Sequence, residues 1–182
     1  MNPFIEWENN EGQKIMSIIG VKANDTVLDF GCGKGYYSFA ASKTVGEKGH
    51  VIALDKSKLR MQLIKRRVKR ESVANIECVL TDGSLELPIE KESVDIVFIY
   101  DIMHHFKGDK RALLLKEIRR ILKPDGILTV HPAHEFEDGK TPEELMAELV
   151  LFGFEHIGNL RTRLIHFRAF EESTIYNFAI IK

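Results

Sequence analysis

Residues Val27 to Ser38 read VLDFGCGKGYYS, an apolar run broken by one acid, then glycine at 31, 33 and 35, then the first turn of a helical pattern. A buried strand that enters a helix through three glycines in five positions is the opening of an α/β unit, and ligands of such sheets bind at the carboxyl ends of the strands. Glycine there permits positive φ and removes the Cβ that would hold a ligand off the backbone. The helix that follows offers unpaired N–H groups to negative charge. The stretch therefore points to a nucleotide-like cofactor.

Outward from this loop, apolar runs alternate with amphipathic ones. TVLDF from Thr26, HVIALD from His50, IECVL from Ile76, VDIVFIY from Val94 and GILTV from Gly126 are short and nearly continuous, as strands buried on both faces should be. Helical patterns fill the intervals at Tyr36 to Thr44, Ser57 to Arg70 and Asp109 to Ile121, with Ser57 and Asp109 as N-cap residues. KPDG, Lys123 to Gly126, reads as a turn between helix and strand. Further on, TPEELMAELVLFGF reads as a helix with Pro142 near its start and Gly153 past its end. Glu155 to Lys182 reads as an antiparallel hairpin, and a helix at Gln13 to Ile19 precedes the first strand. The expected fold is α/β: a doubly wound, mostly parallel seven-stranded sheet with helices on both faces and an antiparallel C-terminal hairpin. One domain over residues 1–182 is expected, with 1–22 as an N-terminal helix or lid segment.

Composition is that of an ordinary globular chain: 182 residues, 44% hydrophobic, 29% charged, formal net charge -1. Neither a nucleic-acid nor a membrane partner is expected from that balance. Cys32 and Cys78 lie on unlike elements and read as reduced core residues, which with the lack of a leader pattern or membrane span points to the cytoplasm.

The dinucleotide fingerprint G-x-G-x-x-G would need glycine where Tyr36 stands, and the pattern is instead G-x-G-x-G. Preceded by the acid of VLDFGCG, it resembles motif I of the class I S-adenosylmethionine-dependent methyltransferases. Asp55 at the end of HVIALD, TDGSLELP (Thr81 to Pro88), SVDIVFIYDIMHHF (Ser93 to Phe106) and ILKPDGILTV (Ile121 to Val130) resemble that family's later signatures in order. The resemblance covers about residues 25 to 131 and is closest to the quinone-biosynthesis and general metabolite branch.

The resemblance implies a Rossmann-like methyltransferase fold, S-adenosylmethionine as cofactor and S-adenosylhomocysteine as product. It assigns Asp29 and Gly31 to the methionine amino group and Gly33 to close backbone approach. Asp55 falls on the ribose, Asp82 and the Gly83 backbone near the adenine, and Tyr100 and Asp101 beside the reacting end. Lys56 departs from the apolar residue that the family often sets against the adenine; its aliphatic stem is long enough to cover the ring. Simpler readings stay open, with Asp55 as a cap acid before Ser57 and Asp82 as a turn residue.

The expected reaction is in-line methyl transfer to a small-molecule acceptor; the alternative is a non-catalytic S-adenosylmethionine-binding subunit. The residues do not specify the acceptor or the oligomeric state. His104 and His105 are the candidate catalytic or acceptor-contacting residues, near neutral at working pH and able to take a proton; packing beside the cofactor is the rival reading. His131, His134 and Glu135 carry metal-ligand side chains, but H-x-x-H is off the helical i, i+4 spacing and Pro132 stiffens it, so no metal is expected. Phe4, Trp7 and Ile15, the loop from His131 to Thr141, and the hairpin with Arg161, Arg163 and Arg168 are the segments expected to close a substrate pocket. Phe4 and Trp7 serve equally as anchors of the terminus. In the acid-free run from Lys56 to Arg70, Leu59, Leu63 and Ile64 are expected to be buried beneath a solvated basic face.

Overall fold

The structure, a computed structural model, describes residues 2–166 and 169–182, with Glu137 described by its backbone alone. Arg168 thus lies outside the described residues. The sheet has seven strands: β1 (Thr26–Phe30), β2 (His50–Asp55), β3 (Ile76–Leu80), β4 (Val94–Tyr100), β5 (Leu122–His131), β6 (Phe154–His166) and β7 (Ala169–Ile180). Their order is β3-β2-β1-β4-β5-β7-β6. β1–β2, β2–β3 and β4–β5 pair in parallel, whereas β7 runs antiparallel to both β5 and β6. The expected fold class is the one observed. The chain divides into two compact units, Met1–Gly83 and Ser84–Lys182.

In the first unit, helices α1 (Pro3–Asn9) and α2 (Glu11–Ile18) precede β1, where the sequence reading had one helix from Gln13 to Ile19. Asn2 caps α1 by accepting the Phe4 N–H, and Pro3 supplies a preset φ at the first helical position. Trp7 and Ile15 are buried, and Trp7 meets Tyr37 edge to face, so Trp7 is an anchor rather than a free lid. Phe4 stacks on Tyr36 with ring centroids 5.1 Å apart. Glu8, also buried, takes a two-pronged bond from Arg67 (2.7 and 2.5 Å). The Arg67 guanidinium lies 3.7 Å from the centre of the Phe39 ring. Burial pushes the Glu8 carboxyl up in pKa while Arg67 pulls it down.

Helix α3 (Tyr36–Val45) follows the glycine loop, and α4 (Lys58–Arg70) follows β2, capped by the Ser57 hydroxyl. Of the three residues expected on the buried side of α4, Ile64 is buried and the two leucines are not. Met61 and Ile64 are buried, whereas Leu59 and Leu63 are 66% and 52% exposed. The helix turns its 61/64 edge inward, with Arg67 satisfied by Glu8, and leaves the Leu59 and Leu63 edge among the lysines and arginines.

In the second unit, α5 (Asp109–Ile121) runs straight into β5. Asp109 is the first helical residue rather than the cap, a place held by Gly108. KPDG is not a boundary turn but lies within β5: Val94 pairs with Leu122 and Ile96 with Ile127, so Lys123–Gly126 swells out of the ladder as a bulge. Lys123 returns to Asp95 at 2.7 and 2.8 Å. A Cβ on Gly126 would lie 2.9 Å from Leu122 Cδ2 and 3.1 Å from the Asp95 carbonyl oxygen. Gly126→Ala should therefore cost about 1–3 kcal/mol of overpacking, read as a lower urea midpoint with unchanged slope.

The expected loop from His131 to Thr141 contains a short helix, α6 (Ala133–Glu137). Helix α7 (Pro142–Leu151) has the expected proline start and is fixed by a reciprocal capping box between Thr141 and Glu144. The expected C-terminal hairpin is formed by the antiparallel strands β6 and β7. Arg163 lies over Phe170, 4.1 Å from its ring centre, and both Arg161 and Arg163 are solvent-exposed.

Candidate functional site: the glycine loop and the histidine rim

The glycine loop of the first unit is shaped by hydrogen bonds to its own neighbours. The Gly31 and Cys32 N–H groups donate to the Leu54 carbonyl at 2.8 and 3.0 Å, and the Gly35 N–H to that of Cys32 at 2.8 Å. Gly33 has φ of +57°, and nothing lies within 3.9 Å of where its Cβ would be. The backbone thus demands glycine there, and the space over it is open to a ligand. Gly35, at φ +79°, is needed for another reason: a Cβ would press on Ile64 at 3.2 Å.

Two acids flank the loop. Asp55, buried at the end of β2, accepts the Gly33 N–H on Oδ2 (3.0 Å) and the Ser57 N–H on Oδ1 (2.7 Å), with Arg60 at 3.5 Å. It therefore ties the glycine loop to the start of α4, and its local capping role is present together with its place at the loop. Asp29, buried on β1, accepts the Ser38 hydroxyl of α3 at 2.5 Å. Burial pushes its carboxyl up to about 7, with the nearby Asp55 charge adding to the rise and Ser38 opposing it. A buried acid held near neutrality beside a glycine loop marks a candidate functional position. Lys56, Asp82 and Gly83 are exposed, and the Gly83 N–H donates to the Thr81 hydroxyl at 3.1 Å.

The second unit gathers histidines at the ends of β4 and β5. Asp101 leaves β4 with φ of +55°, a strained conformation for a non-glycine, held by its N–H donating to the His131 carbonyl at 2.7 Å. Its Oδ1 meets His134 Nδ1, and its Oδ2 lies 2.8 Å from His166 Nε2. His166 Nδ1 is in turn 3.0 Å from Glu171 Oε2. His104, in the 3-10 turn Met103–His105, stacks near His134 with ring centroids 4.5 Å apart. Burial, helped by His105, lowers the His104 pKa. His105 is exposed.

The two members of H-x-x-H part company. His131 is buried, with Nε2 2.8 Å from Ser173 Oγ, and burial pushes it down to about 4, against the pull of Asp101 and Glu171. It stays neutral at neutral pH. Tyr100 is also buried, stacked on Phe98, and its hydroxyl bonds Thr129 at 3.0 Å, which makes it a packing residue within its unit.

Two residues absent from the sequence reading organise this rim. Arg111 donates to the Met103 and Phe106 carbonyls (2.6 and 2.9 Å) and pairs with Glu135 and Glu148, so it fastens the His104 turn to α6 and α7. His166 is the other; each has at least one partner far along the chain, Glu135 and Glu148 for Arg111 and Asp101 for His166, where local pattern carries no signal. Beside them lies a cavity of about 340 Å³ lined by His104, Phe106, Lys107, Arg111, Glu135 and Lys140, among others.

A family model described as "Methyltransferase domain" matches residues 27–126, from β1 through the bulge of β5. Demethylmenaquinone methyltransferase of Lactococcus lactis subsp. lactis is 36% identical over 139 residues, covering 72% of this chain and 54% of that protein. The enzyme of the same name from Lactobacillus johnsonii is 35% identical over 130 residues, covering 69% of this chain and 52% of that protein. The chain thus spans about half the length of these curated relatives. A crystal structure described as a SAM dependent methyltransferase from Aquifex aeolicus shares the fold at 23% identity and a TM-score of 0.77, over 97% of this chain and 92% of that one. The chain belongs to the methyltransferase domain family, in its class I, S-adenosylmethionine-dependent form. Among the described residues no helix is long and apolar enough to cross a membrane.

Proposed function

We propose that this protein transfers the methyl group of S-adenosylmethionine to a small quinol-type aromatic acceptor and releases S-adenosylhomocysteine. The observation that carries the cofactor half is Asp55, buried and hydrogen-bonded to the Gly33 N–H at the rim of an otherwise open glycine loop. In this reading Asp55 takes the ribose hydroxyls, Asp29 and Gly31 take the methionine ammonium, and Gly33 lets the ligand approach the backbone. Lys56 covers the adenine, and Asp82 with the Gly83 backbone binds its edge. Tyr100 supports Asp101 from beneath, and Asp101, His104 and His105 face the acceptor.

The acceptor class is supported by relatives named demethylmenaquinone methyltransferase and by the polar lining of the cavity beside His104, which suits a ring bearing oxygens. In the reaction the S–CH3 bond breaks as the bond from methyl to acceptor forms, and the electron pair stays on sulfur. Alignment supplies roughly 7–11 kcal/mol of such a barrier, a general base only about 10²- to 10⁴-fold in rate. A single domain over both units is supported by the family match at 27–126, which crosses the division at Gly83. The free thiols Cys32 and Cys78 suit a reducing, cytoplasmic setting.

The test is incubation with methyl-labelled S-adenosylmethionine and reduced quinones of graded tail length. Label in the quinol, lost in Asp55→Ala, is the expected result. Cofactor binding with no label in any quinol, but label in another metabolite, would overturn the acceptor class.

A further inference from the structure

We propose that Asp101, His104 and His134 form a binding site for one divalent transition-metal ion, with zinc the best fit. One ligand atom from each lies within 4.8 Å of the others, so small side-chain rotations bring all three onto a common centre. The spacing of His131, His134 and Glu135 speaks against a metal held by those three. The structure joins a different set, drawn from the end of β4, the 3-10 turn and α6.

The donor set selects the ion. Two imidazoles and one carboxylate suit zinc or ferrous iron, whereas magnesium and calcium require oxygen ligands throughout. Three protein ligands leave further positions open, the pattern of reactive rather than structural zinc sites. His104 and His134 are partly exposed, which gives an ion a way in.

The surroundings are also those of a ligand set. Metal-bound carboxylates are normally oriented by outer partners. Here His166 Nε2 lies 2.8 Å from the second oxygen of Asp101, a charge-pairing distance, and Glu171 Oε2 lies 3.0 Å from His166 Nδ1. Arg111 holds the Met103 carbonyl, and so the His104 turn, at 2.6 Å. Five of the seven histidines of the chain, 104, 105, 131, 134 and 166, fall in this one region.

The test needs neither cofactor nor acceptor, so it is separate from the proposed methyl transfer. Tag-free full-length protein is stripped with chelator and titrated with zinc by calorimetry and with cobalt(II) by visible absorption. One ion per chain is expected, with cobalt bands that zinc displaces. His104→Ala and His134→Ala should each weaken zinc binding more than about a hundredfold, and His166→Ala about 10- to 100-fold. His50→Ala, on β2, should leave it unchanged. Thermal unfolding of each stripped variant verifies the fold, and Asp101→Asn, which keeps the side-chain shape, supplies a further variant. Absence of saturable binding, or binding that survives both His104→Ala and His134→Ala, overturns the site.

Discussion

Asp55→Ala is expected to weaken S-adenosylhomocysteine binding by at least about a hundredfold. The carboxylate accepts two backbone N–H groups and lies 3.5 Å from Arg60. In the proposed complex it accepts the ribose hydroxyls as well. Hydrogen bonds to a charged group contribute roughly 1.5–3 kcal/mol each, so losing two ribose bonds costs about 3–6 kcal/mol, and the glycine loop loses its tether besides. Were Asp55 only a cap before α4, the variant would lose about 1 kcal/mol of stability and keep its affinity. Calorimetric titration beside urea unfolding separates the two outcomes. Unchanged affinity would remove Asp55 from the cofactor site.

The second large effect is a pH dependence set by Asp29. With its folded pKa raised to about 7 from an ordinary 3.8, Asp29 holds its proton in the native state where the unfolded chain has lost it. Its linkage therefore lowers stability as pH rises from about 4 to about 7, by on the order of a few kcal/mol, and is flat above. Binding of a ligand ammonium has the opposite preference, since it favours the carboxylate. Cofactor affinity should rise by up to about tenfold per pH unit from 5 toward 7 and then level off, with proton release on binding below the plateau. Asp29→Asn, whose amide oxygen still accepts from Ser38, should be more stable than the parent at pH 8. It should bind weakly with no pH dependence between 5 and 7. Parent affinity that is flat over this range would separate Asp29 from the ammonium.

How legible these features were in the sequence depended on their range. The first four strands were bounded by their apolar runs alone: β1, β2 and β4 are buried and have few polar positions to blur their ends, and in β3, at the sheet edge, the run IECVL sets the bounds although Glu77 and Leu80 are exposed. KPDG misled because proline, aspartate and glycine mark a tight bend whether it joins two elements or swells within one; only pairing with β4 distinguishes these cases. On α4 two stripes compete, Leu59 with Leu63 and Met61 with Ile64. The winner is fixed by what lies opposite, including Glu8, which neutralises Arg67 on the buried side. In the glycine loop the acids and glycines were legible because they recur at fixed offsets. The Asp101, His134 and His166 cluster was not, since a histidine near the end of a hairpin carries no mark of the strand end it will meet.

The clasp between Glu8 and Arg67 bears on the order in which the chain becomes ordered. Its partners are 59 residues apart. During synthesis the acid leaves the ribosome well before its counterion, and a carboxylate does not enter an apolar interior unaccompanied. Helix α1 is therefore expected to dock only once α4 is present to supply Arg67.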